Sequence, residues 1–186
     1  MQARHIPNLI SVLRILLVAP LAFCLFSQNY TASLGLFLLA GFSDALDGYL
    51  ARRFHWTSRL GALLDPIGDK LLMVTTYLIL GTQSWLPMWL VVVVILRDVI
   101  IVSGSLFYRL LVGEVVIEPI ISSKINMVLQ VLLILALLLS LSLYSLPDIL
   151  LQVLMGLVLL STLISGGCYV YQWGRRAWHS LFGQPQ

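Results

Sequence analysis

Along this chain, long apolar stretches alternate with short polar breaks, and the breaks recur at nearly even spacing. Apolar runs cover about residues 9–26, 31–53, 60–82, 85–111, 121–143 and 147–172. Each run is close to the roughly 20 residues that an α-helix needs to cross the hydrocarbon core of a bilayer. The pattern predicts six membrane-spanning helices. The first run follows Arg4, His5 and Pro7 and resembles a signal sequence. Arg14 interrupts it, however, and no small-residue cleavage site follows, so a retained helix is expected. Its start, around Pro7 to Arg14, is expected to lie amphipathically along the membrane surface before the chain turns inward.

Composition sharpens this picture. Of 186 residues, 60% are hydrophobic and 10% charged, against about 25% charged in soluble domains. An all-α integral membrane protein is expected, with one domain over 1–186 and no room for a separate soluble module. The net charge of +3 matters less than where the charges lie. Arg4, the 52–59 connection, Arg109 and Arg175-Arg176 fall on one side of the predicted topology. The opposite breaks, near Asn29, Gln83 and Ser145, hold no Lys or Arg. By the positive-inside rule both termini face the cytoplasm. Basic residues at span ends suit anionic lipid headgroups rather than nucleic acid. Cys24 and Cys168 lie in apolar runs without metal or redox spacing and read as small hydrophobes. His5, His55 and His179, and the tryptophans, fall at predicted boundaries. Asn29-Tyr30-Thr31 matches a glycosylation sequon, but in a break so short that chance is the better account.

One stretch breaks the apolar pattern in a way that span ends do not explain. Residues 44–69 read D-x2-D-G-x2-A-R-x8-G-x3-D-x3-D. A charge at the centre of a lipid-spanning helix costs about 3 kcal/mol on the milder scales. Four carboxylates here therefore require compensation. Asp44 and Asp47 are spaced i, i+3, and Asp65 and Asp69 i, i+4, so on helices each pair shares a face. Two such helices facing each other would converge four all-oxygen ligands, which suit hard divalent ions.

Three accounts compete. Structural ion pairs with Arg52, Arg97 or Lys124 would explain one or two acids. An ion pathway would need polar residues continuing across the membrane, whereas these cluster near one face. A two-metal phosphoryl-transfer site explains all four. In that account Gly48, Ala51 and Gly61 let a flat group approach the backbone, and Arg52, Arg97 and Lys124 supply phosphate contacts.

Residues Asp44, Asp47, Gly48, Ala51, Arg52, Gly61, Asp65 and Asp69 match every defined position of the CDP-alcohol phosphotransferase signature, and the six-span layout resembles that fold throughout. The resemblance implies Asp44, Asp47, Asp65 and Asp69 as ligands of two divalent cations, Mg2+ or Mn2+, with Asp69 also the general base. It implies that Gly48, Ala51 and Gly61 border the CMP moiety, with Arg52 nearby, and that the protein is a homodimer. The implied reaction is attack of an alcohol on the β-phosphorus of a CDP-linked lipid. Ile6, Pro7, Asn8 and Arg14 resemble the start of two branches of the family. One uses glycerol 3-phosphate to make phosphatidylglycerophosphate, and the other uses phosphatidylglycerol to make cardiolipin. The first branch carries extra cations where this chain has Ser105 and Asn126. Since a phosphomonoester carries more charge than a phosphodiester, the cardiolipin-making branch is expected. The absence of an evident mitochondrial presequence points to a bacterial inner membrane, with the active site on the cytoplasmic side. A cation transporter is the competing class.

Overall fold

The computed structural model describes the backbone of residues 6–54, 59–112 and 121–182, and the side chains of 12–46, 53–54, 67–104, 121–169 and 171. The described residues form six helices: α1 (Ile6–Phe26), α2 (Tyr30–Phe54), α3 (Arg59–Thr82), α4 (Met88–Val112), α5 (Ile121–Ser142) and α6 (Asp148–Phe182). Their boundaries follow the six apolar runs. By length and composition, Ile121–Ser142 and Asp148–Tyr169 are long and apolar enough to cross a bilayer. Val12–Phe26 and Tyr30–Leu46 are shorter apolar stretches. The apolar helices point to a membrane protein. Their outer faces fit this, with Leu16, Phe23, Phe42, Leu160 and Ile164 each more than half exposed.

α1 runs without a break from Ile6 to Phe26. The expected turn between a surface segment and a span is therefore not found. Pro7 stands in the first helical turn, where a missing N–H costs nothing, so it starts the helix instead of dividing it. The helix ends in a Schellman motif. Gln28 adopts the left-handed conformation (φ 57°), its N–H donates to Leu25 O at 3.0 Å, and the Asn29 N–H donates to Cys24 O at 2.9 Å. Asn29 then caps α2, its Oδ1 accepting from the Ala32 N–H at 3.2 Å. The sequon asparagine is thus a helix cap. The same motif closes α3 at Ser84 (φ 63°), through Ser84 N–H to Gly81 O and Trp85 N–H to Leu80 O.

The chain divides into two compact units, Met1–Leu86 with Ile134–Pro147, and Pro87–Leu133 with Asp148–Gln186. In the first, α1 packs against both α2 and α3. Its buried stripe is Arg14, Val18, Leu21 and Leu25, the i, i+4, i+7, i+11 face of a helix. The α1–α2 and α3–α4 turns are tied by a polar knot. Trp85 Nε1–H donates to Tyr30 Oη at 2.9 Å, Tyr30 Oη donates to Gln83 Oε1 at 3.3 Å, and Gln83 Nε2 donates to Leu25 O at 2.7 Å. The Tyr30 and Trp85 rings meet edge to face, with centroids 6.2 Å apart. In the second unit α4 packs against α6. Leu90, Val91, Val94 and Arg97 form the buried face of α4, and Val158, Thr162, Ser165 and Tyr169 that of α6.

Candidate functional site

The backbone is helical through both acidic pairs, with Asp44 and Asp47 in α2 and Asp65 and Asp69 in α3. Both pairs therefore lie on helical backbone, as their spacing requires. Gly48, Ala51 and Arg52 also lie in α2, and Gly61 in α3. The side chains of Asp47, Gly48, Ala51, Arg52, Gly61 and Asp65 lie outside the described residues. Asp44 and Asp69 are described, 25 positions apart in sequence, and one atom joins them.

That atom is Nη1 of Arg14. It stands 2.7 Å from Asp44 Oδ1 and 2.6 Å from Asp69 Oδ1. It donates a hydrogen bond to Asp69 and forms an ion pair with Asp44. The side chain of Arg14 is 1% exposed, against 41% for Asp44 and 25% for Asp69. The cation lies inside, and the carboxylates stand between it and the surface. The first and last acids of the motif thus converge from two helices on a positive charge delivered by a third.

Close approach of α1 and α3 at this level depends on Gly68, next to Asp69. A Cβ there would lie 3.4 Å from Ile15 Cγ1 and 3.7 Å from Arg14 Cδ. Alanine therefore fits in ordinary contact, while a larger side chain would push α1 away. Gly68→Leu is expected to lower stability by about 1–3 kcal/mol through overpacking. A thermal-unfolding comparison with Gly68→Ala, expected to stay near wild type, checks this.

Arg97 on α4 and Lys124 on α5 belong to the second unit. Lys124 is exposed. Arg97 is 8% exposed, and its guanidinium is engaged on several sides. Nη1 donates to Asp98 Oδ1 at 2.7 Å, and Nη2 donates to Ser123 Oγ at 2.7 Å and to Ser165 Oγ. One turn further along α5, Asn126 is fully buried. Its Oδ1 accepts from Ser161 Oγ at 2.8 Å and Thr162 Oγ1 at 2.9 Å. In sequence this position reads as a cation that is missing. In the structure it is a buried acceptor joining α5 to α6.

Arg14 is a functional candidate outside the motif that sequence reasoning did not place at the carboxylates. Its sequence signal was a lone basic residue inside an apolar run, spaced after Ile6-Pro7-Asn8. What a sequence does not specify is which acids it meets. Among the described residues, Arg14 makes ion pairs with Asp44 and Asp69, and Arg97 makes one with its neighbour Asp98. Among the described residues no group of three or more His, Cys, Asp or Glu side chains is placed to hold a metal ion, and two of the four motif acids lie outside that description.

The family model for CDP-alcohol phosphatidyltransferases matches residues 4–164. The chain belongs to this family. Among similar proteins, one from Rattus norvegicus named cardiolipin synthase (CMP-forming) is 37% identical over 105 residues, covering 56% of this chain and 35% of the relative. A Schizosaccharomyces pombe cardiolipin synthase (CMP-forming) / mitochondrial hydrolase fusion protein is 42% identical over 105 residues, covering 56% of this chain and 18% of the relative. A Pseudomonas fluorescens CDP-diacylglycerol–glycerol-3-phosphate 3-phosphatidyltransferase is 42% identical over 104 residues, 52% of each chain. The matched region therefore spans about half or less of these relatives' length. That family description names phosphatidyl transfer from a CDP-alcohol.

Proposed function

We propose that this chain transfers a phosphatidyl group from CDP-diacylglycerol to phosphatidylglycerol, making cardiolipin and releasing CMP. The observation carrying most weight is that Asp44 and Asp69, the two ends of the motif, meet on a single cationic nitrogen. Oxygen donors already disposed about a positive charge fit a hard divalent ion in chemistry. Asp44, Asp47, Asp65 and Asp69 would hold two Mg2+ or Mn2+ ions. When bound, such ions neutralise the diphosphate and stabilise an in-line displacement.

The chain's own residues supply the rest. Asp69 takes the proton from the acceptor hydroxyl. The freed oxygen forms a bond to the β-phosphorus, and the bond from that phosphorus to the bridging oxygen breaks. CMP leaves with the electron pair, and the proton passes from Asp69 to solvent. Gly48, Ala51 and Gly61 would border the nucleotide, with Arg52 beside it, and Lys124 would meet a headgroup phosphate. Arg97 would order that region of the second unit. The reaction would face the cytoplasm from a bacterial inner membrane, in a homodimer.

Phosphatidylglycerol is favoured as acceptor because Asn126, buried and neutral, stands where a phosphomonoester site would want a cation. The alternative acceptor is glycerol 3-phosphate, favoured by the 42% identity to the Pseudomonas protein. Purified chain supplied with CDP-diacylglycerol and Mg2+ should release CMP with phosphatidylglycerol. Release with glycerol 3-phosphate alone would replace the acceptor. Release with neither, together with ion flux into vesicles, would turn the assignment to a transporter.

A further inference from the structure

We propose that Arg14 is a positioning residue of the carboxylate site, setting the rotation of Asp44 and Asp69 so that both accept a divalent ion in one arrangement. The inference rests on the metal-site function proposed above. Arg14 continues the buried stripe of α1, one turn before Val18, while its neighbours Leu13 and Leu16 are exposed to 49% and 64%. A buried charge here is tolerated only with carboxylate partners. Charge balance alone would need one acid. Among the described residues Arg14 meets two, from two helices, and they are the first and last of the motif.

Each carboxylate has two oxygens. Fixing Oδ1 of both on Nη1 removes their freedom to spin about the Cβ–Cγ bond, which settles where each second oxygen points. Partners behind a metal's ligands work in this way, and losing one commonly weakens metal binding by about 10–100-fold. Arg97 offers the internal contrast. It is also buried and multiply bonded, but to Asp98, Ser123 and Ser165, none of them in the motif.

The test is Mn2+ binding by the purified full chain in lipid nanodiscs, followed by electron paramagnetic resonance without substrate. Arg14→Gln is expected to bind about 10–100-fold more weakly than wild type. Arg14→Lys keeps the charge but ends one bond short of Nη1, and is expected to fall between them. Wild-type affinity in Arg14→Gln would overturn the positioning role. Tighter binding would overturn it too, showing that the guanidinium competes with the ion. If circular dichroism shows Arg14→Gln unfolded, Arg14→Lys decides: weakened binding supports the role and wild-type binding overturns it. A wild-type chain that takes up no Mn2+ would remove the metal site itself, and this role with it. That outcome is distinct, because only then is the wild type silent.

Discussion

Asp69→Asn is expected to lower CMP release from CDP-diacylglycerol by about 10²- to 10⁴-fold, the range that a positioned general base contributes. The substitution is nearly isosteric. An asparagine Oδ1 can still accept the Arg14 N–H now made at 2.6 Å, so packing of α1 on α3 should persist. What disappears is the ability to take a proton and one negative charge from the cluster. The informative comparison is therefore activity against thermal midpoint. A large loss of turnover with a small change in unfolding temperature supports the base. Turnover within a few-fold of wild type would remove that role from Asp69 and leave it an ion-pair partner of Arg14.

The second large effect concerns Asn126→Lys. From sequence alone, adding a cation at Asn126, together with Ser105→Arg, looks like a route to better use of glycerol 3-phosphate. The buried position of Asn126 changes that expectation. Its side chain is fully buried, and its Oδ1 is the acceptor for Ser161 and Thr162. Lysine would bring an ammonium into that space, at a cost of about 3 kcal/mol even on scales that allow the stem to bend toward water. It would also take the acceptor from two hydroxyls. Ser161 Oγ keeps its bond to Val158 O at 3.1 Å, so Thr162 bears more of that loss. Asn126→Lys should unfold at markedly lower temperature in detergent and release less CMP with either acceptor. A stable variant with raised glycerol 3-phosphate activity would show that the lysine reaches an anion.

Some of this was legible in the chain and some was not, for identifiable reasons. The six helices follow from six apolar runs, because each run needs its backbone hydrogen bonds satisfied internally. The spacing of Asp44, Asp47, Asp65 and Asp69 could be read as two helix faces because an α-helix repeats every 3.6 residues. Arg14 resisted such reading. Its partners depend on which face of α1 meets α2 and α3, and that is set by packing around Gly68, Val18 and Leu21. The surroundings of Asn126 were hidden for a related reason. Sequence shows a neutral residue there, and only the packing of α5 on α6 shows that it is buried and bonded to Ser161 and Thr162. The separate surface segment expected around Pro7 to Arg14 is instead the first part of the unbroken α1.

The knot of Tyr30, Gln83 and Trp85 has a mechanical corollary. It clamps the last turn of α1, through Leu25 O, to the far end of α3. Arg14 sits 11 residues back along the same rod, about 16 Å away at 1.5 Å per residue. The clamp sets the phase and α1 acts as a ruler. One residue gained or lost between 14 and 25 would turn the guanidinium by about 100° and shift it by about 1.5 Å. The length of that segment therefore decides where the guanidinium meets the acids it reaches.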